Sequence, residues 1–144
     1  MWGWNESGQL GLPSKGVAGS PVAARAEDKR SSSSRSSTPP RGPQAAHESP
    51  PAAFISIQAF PALLDMPGGE DVGKVSCGSR HTAALTRTGE LYTWGWGKYG
   101  QLGHRDTTAT LDRPKKVCSF EAWGLGVADV VCGPWTTFAL ALPL

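Results

Sequence analysis

The sequence predicts an all-β fold built from a repeated unit of short strands. Three observations predict it. WGWNESGQLG at 2–11 returns as WGWGKYGQLG at 94–103, with seven of ten positions identical. VSCGSRHTAAL at 75–85 returns as VVCGPWTTFAL at 130–140, where Val, Cys, Gly, Thr, Ala and Leu coincide. No longer stretch holds a 3.6-residue apolar period, so nothing reads as a substantial amphipathic helix.

The elements follow in chain order. Residues 1–13 are rich in Trp and Gly and read as the end of one unit. Residues 14–53 read as an insert; the stretch 14–50 has no aromatic residue, carries SSSSRSS, and holds six basic against three acidic residues. Such a composition buries too little apolar surface to offset the entropy of ordering, so disorder is expected. Ser20-Pro21, Thr38-Pro39 and Ser49-Pro50 in it are candidate phosphorylation sites. FISIQAF (54–60) alternates like a strand, and VGKVSCG (72–78) is a second short run. HTAAL and ELYTWG, joined by TRTG, read as a hairpin with Gly89 in its turn. LDRPKKV (111–117) carries Pro114, which argues against a helix. VADVVCG (127–133) and TTFALAL (136–142) repeat the strand theme. The units are 54–103, complete, and 104–144, partial.

The two repeat offsets disagree, 92 residues against 55, and the difference is 37. Residues 14–50 number 37, so the longer interval is one normal repeat plus the low-complexity stretch. A multi-stranded unit at this period suggests a propeller blade.

Cys-Gly-x-x-His-Thr-Ala-Ala-Leu, then Gly-Glu-Leu-Tyr, then Trp-Gly-x-x-x-x-Gly-Gln-Leu-Gly resembles the repeat of the regulator-of-chromosome-condensation family. The resemblance covers some 105 residues and implies a partial β-propeller, about one complete blade and two partial ones. It also implies a small domain-containing member, present as a C-terminal fragment or short isoform. The chain starts inside a repeat, so exposed edges, an open apolar side and a tendency to aggregate are expected.

The repeated residues read as scaffold. Gly78, Gly95, Gly100 and Gly103 serve sharp turns or close approaches, Leu102 packs between blades, and Gln101 satisfies turn amides. Trp94 supplies apolar contact, Cys77 and Cys132 act as small buried hydrophobes, and His81 bonds the backbone at a strand start.

The candidate partner-binding residues are Arg80, Arg87, Lys98, Tyr99, Arg105 and Asp106, all flanking turns. Trp96 and Trp135 read equally as core or as exposed anchors. No catalytic, cofactor-binding or metal site is expected. No nucleophile stands at a recognisable spacing to His47, His81 or His104, and the three cysteines lie 41 and 14 residues apart. An odd cysteine count points to a reducing compartment. A net charge of +2 is too mild to argue for direct nucleic-acid binding. No run reaches the roughly 20 apolar residues of a membrane span, and no small-molecule substrate is expected.

The resemblance implies a non-enzymatic scaffold for protein partners, namely a nuclear chromatin adaptor for histones or a chromatin-modifying enzyme. Two other readings stand beside it: guanine-nucleotide exchange on a small nuclear GTPase, and a truncated isoform without independent function. The cytoplasm is the second compartment.

Overall fold

The structure is a computed structural model that describes residues 1–14, 54–105 and 109–144. The expected disordered insert and its Ser/Thr-Pro dipeptides lie outside the described residues. Ser14 is the exception and moves the expected boundary by one residue. It is buried, its hydroxyl donates to the Glu6 carbonyl, and its amide donates to Asp112.

The architecture is nearly all β. β1 (Gly3–Trp4) pairs with β2 (Ile57–Gln58). β3 (Val72–Cys77), β4 (His81–Thr86), β5 (Leu91–Gly95) and β6 (Leu111–Lys116) form a four-stranded antiparallel meander. One helical turn, α1 (Ser119–Ala122), leads to the hairpin of β7 (Leu125–Cys132) and β8 (Thr137–Pro143). The described residues thus make one full blade and two half blades. Of FISIQAF, only Ile57 and Gln58 are in a ladder. The full sheet is also offset from the 54–103 unit, because it starts at Val72 and takes β6 from beyond Gly103.

Repeat and register agree. Val75 pairs with Ala84 and Cys77 with Thr82; 55 residues later, Val130 pairs with Ala139 and Cys132 with Thr137. Even the register shift recurs, between Val72 and Lys74 and between Val127 and Asp129. β6 lies at the sheet edge, where Pro114 falls in a second shift, between Thr93 and Gly95 of the partner strand. A residue without an amide proton is tolerated there.

β4 is buried along its whole length because both faces are covered. Side chains alternate across a strand. Ala83 and Leu85 face one way, packing with Leu91, Val117, Val127 and Val130. Ala84 faces the other way, with Met66, Tyr92 and Trp94. Outside these two clusters the expected open apolar surface is present: Phe138 is 66% exposed and Leu140 58%. No helix among the described residues is long and apolar enough to cross a membrane.

Candidate partner-binding face

The repeated phrase forms the junction between blades. Trp94 is buried, and its indole donates to the Gln9 carbonyl of the preceding phrase at 2.9 Å. The side-chain oxygen of Gln101 accepts from the Tyr99 amide, as Gln9 does from the Ser7 amide. Leu102, 2% exposed, lines the space between the second and third sheets with Thr93, Val117 and Ala139. A Cβ at Gly95 would come within 2.5 Å of the Arg80 carbonyl, so the close approach of β5 to the β3–β4 turn needs glycine.

His81 is buried and its Nε2 lies 3.0 Å from the Thr137 hydroxyl. That hydroxyl has one proton and donates it to the Gln101 carbonyl at 2.8 Å. His81 Nε2 therefore carries its own proton and donates to the hydroxyl. Burial lowers the pKa of His81 from the ordinary imidazole range, with a backbone hydrogen bond at Thr136 opposing the shift. Gly78 makes room for this ring, since a Cβ there would sit 2.2 Å from His81 Cε1.

The cysteines depart from expectation. Cys77 and Cys118 are exposed and Cys132 is only half-buried. Cys77 lies on β3, whose side chains are largely uncovered, so it does not act as a buried hydrophobe. The Cys132 thiol is pushed up by burial, so it is no activated nucleophile.

The loops at one end of the sheets converge. The Arg80 carbonyl accepts the Trp96 amide at 2.8 Å, and the Ser79 amide donates to the Pro134 carbonyl at 3.0 Å. Three aromatic rings meet above this join. Trp96 stands edge-on to Tyr99 with centroids 4.6 Å apart and to Trp135 at 5.3 Å, and Tyr99 lies 6.3 Å from Trp135. Tyr99 is 75% exposed and Trp135 44%, so the cluster is surface rather than core. Arg80 in the β3–β4 turn and Lys98 in the β5–β6 loop, both exposed, lie at the same end.

Three of the six candidate residues, Arg80, Lys98 and Tyr99, are thus brought to one end. Arg87 is in the β4–β5 turn at the opposite end, its amide on the Asp71 carbonyl. Arg105 lies to the side, its guanidinium 5.8 Å from the centre of the exposed Trp123 ring. Asp106 lies outside the described residues. Trp96 and Trp135 are the members that sequence reasoning left undecided. Trp96 recurs as Trp4, but the repeat alignment does mark Tyr99 and Trp135, whose positions hold Ser7 and Arg80 at the first junction. Structural positions recur between the two junctions; these two do not.

Residues 88–140 and 73–101 each match a family model described as the regulator of chromosome condensation (RCC1) repeat. The chain carries RCC1 repeats. It is 54% identical over 144 residues to human RCC1 domain-containing protein 1, covering 99% of this chain and 37% of that protein. It therefore spans little more than a third of that relative's length. Human HERC2, an E3 ubiquitin-protein ligase, is 45% identical over 82 residues, covering 57% of this chain and 2% of that protein. The crystal structure of human WBSCR16 superposes with a TM-score of 0.53 at 22% identity, over 62% of this chain and 23% of that one. The likeness is one of fold, and it fits a partial RCC1 propeller.

Proposed function

We propose that this RCC1-repeat chain is a non-enzymatic scaffold that docks a protein partner on the loop face of Trp96, Tyr99 and Trp135. The aromatic cluster is the observation that carries this reading. It forms at one blade junction, while the first junction closes with Ser7 and Arg80 in the matching places. The fold does not need it, and exposed Trp and Tyr beside Arg are the residue types that dominate protein–protein binding energy. Arg80 and Lys98 beside it suit an acidic partner surface.

The chromatin reading follows from the family. The partner is a histone or a chromatin-modifying enzyme, and the chain acts in the nucleus. A catalytic role for His81 has no support, because the Thr137 hydroxyl beside it is committed to a backbone carbonyl. The test is affinity purification from nuclear extract with the 144-residue chain and with a Tyr99→Ser, Trp135→Arg double variant. Core histones or a histone-modifying enzyme retained by the first and lost by the second is the expected result. The same proteins on both would overturn the assignment of this face, and neither class on the first would overturn the chromatin reading.

A further inference from the structure

The repeat marks a second place where the two junctions differ. Gly3 pairs with Gln58 as Gly95 pairs with Leu111. Met1 exchanges backbone hydrogen bonds with Ala62, in the place where Thr93 pairs with Lys115. A Cβ at Gly11 would meet Leu64, and a Cβ at Gly103 would meet Val117. Residues 111–122 therefore correspond to 58–69, and residues 103–105 to 11–13.

At the second junction these residues line a cavity of about 210 Å³. His104 and Arg105 enter it from the loop after Gly103, Lys115 and Lys116 from β6, and Cys118 and Ser119 from the start of α1. At the first junction Leu12 stands for His104, Pro13 for Arg105, Ala62 for Lys115 and Leu63 for Lys116. Every basic side chain of the lining thus has an apolar counterpart, and the fold closes this junction without them. Asp65 stands for Cys118, so the sign of the charge changes as well.

The positive charge is only partly offset. Lys116 Nζ meets Glu90 at 2.5 Å and Glu121 at 3.2 Å. Among the described residues neither Arg105 nor Lys115 is in an ion pair. His104 Nε2 lies 3.0 Å from the Thr93 hydroxyl, which gives its own proton to the Leu102 carbonyl at 2.6 Å. Nε2 is therefore the donor. Burial lowers the His104 pKa, and the charge of Lys115 lowers it further.

A following blade does not cover this place. The first junction is followed by the whole blade β3–β6. There Pro13, Leu63, Asp65 and Gly69, the counterparts of Arg105, Lys116, Cys118 and Ala122, remain exposed.

We propose that the pocket of His104, Arg105, Lys115 and Lys116 binds a phosphorylated serine or threonine side chain. Such a group carries about −1.5 to −2 charge at pH 7 and three acceptor oxygens. These match the guanidinium fork of Arg105 and the ammonium of Lys115. Size selects the ligand: pockets for drug-sized molecules run to about 300–1,000 Å³, so this one suits a single phosphoryl group on its side chain. Within this chain, Ser49-Pro50 preceded by Glu48 offers a sequence of the right chemistry for a probe, because Glu48 adds negative charge beside the phosphate.

The test titrates the 144-residue chain with a peptide copying residues 45–53 and phosphorylated at Ser49, with the unmodified peptide, and with inorganic phosphate. The His104 imidazole is followed by NMR. The phosphopeptide should raise the His104 pKa, because an anion beside the ring favours its protonated form. It should bind at least about tenfold more tightly than inorganic phosphate, and the unmodified peptide should not bind. Lys115→Ala installs the residue of the first junction and should weaken the phosphopeptide at least about tenfold. Arg113→Ala removes a cation of β6 that is outside the pocket and should leave binding within about twofold. Both side chains are exposed, so neither substitution disturbs the core. An unmoved His104 pKa would overturn the proposal. Equal binding of inorganic phosphate would reduce the pocket to a site for the free ion, and equal losses in the two variants would reduce it to an effect of net charge; either overturns it too.

Discussion

Thr137 donates its hydroxyl to the carbonyl oxygen of Gln101, 36 residues earlier, at 2.8 Å. Thr82 does the same to Gln9 at 2.7 Å. Each blade is thus clasped to the turn phrase that precedes it, by the same pair of residues.

The two clasps differ in what surrounds them, and the difference predicts unequal costs. Thr82→Val removes one hydrogen bond, but the Gln9 carbonyl keeps the Trp94 indole as a donor. A loss of about 1 kcal/mol is expected, the net worth of one such bond. Thr137→Val also strips His81 Nε2 of its acceptor. Loss of this second contact adds to the cost even with the backbone bond at Thr136 retained, so this variant should be the less stable of the two. Urea denaturation of both orders them; equal midpoints would show that the His81 contact contributes nothing.

Gly8 and Gly100 stand at the same place in the repeated phrase, with φ of 72° and 78°. Alanine at Gly100 meets nothing within 4 Å and bears only the left-handed backbone cost, about 1–2 kcal/mol. Alanine at Gly8 meets the Asp112 backbone at 2.6 Å. Overpacking adds about 1–3 kcal/mol. Gly8→Ala should therefore melt well below Gly100→Ala, as measured by circular dichroism; the reverse order would contradict the contact with Asp112.

The scaffold was legible in the sequence because it repeats. Trp94 and Leu102 recur and are buried, Gln101 recurs and accepts the Tyr99 amide, and Gly95, Gly100 and Gly103 recur with positive φ. The aromatic face was not, because Tyr99 and Trp135 are 36 residues apart in the chain and are brought together by tertiary bonds, the Thr137–Gln101 clasp and the joins of Ser79 to Pro134 and Trp96 to Arg80. Arg87 was grouped with Arg80 as a loop cation. Yet successive turns of an antiparallel meander alternate ends, which separates β3–β4 from β4–β5. Cys77 misled for another reason. Its repeat position is shared with Cys132, but β3 lacks the packed neighbour that half-buries Cys132 on β7.

Stability should fall as the solution is acidified from neutrality. The folded pKa of His81 is lowered by burial. As pH drops below about 6.5 the unfolded chain takes up a proton that the folded chain refuses. Stability contributed above that pH is lost down to the folded pKa, with a slope of up to about 1.4 kcal/mol per pH unit for one proton. His104 acts in the same direction through burial and the charge of Lys115, with its hydrogen bond at Thr93 opposing. Glu70 acts the opposite way, since its neighbour Glu90 raises its carboxyl. The His81 part is isolated by comparing wild type with His81→Gln across pH 5.5–7.5. The slope should be shallower in the variant; parallel profiles would remove His81 as the cause.

The aromatic face makes the last prediction, because the repeat supplies its own control. Tyr99→Ser and Trp135→Arg install the residues that the first junction already uses. On stability they remove edge-to-face ring contacts, each worth about 0.5–1.5 kcal/mol, and leave the Thr137–Gln101 clasp in place. On binding they remove the exposed anchors, where a hot-spot residue carries about 2 kcal/mol or more, roughly thirtyfold in Kd. The double variant should stay folded, with a modest drop in denaturation midpoint, and should bind its captured partner at least tenfold more weakly by calorimetry. Arg87→Ala, at the opposite end of the sheets, should leave that affinity unchanged. Equal losses in both variants would mean that the partner reads the chain by its charge, and the aromatic cluster would then carry no special share of recognition.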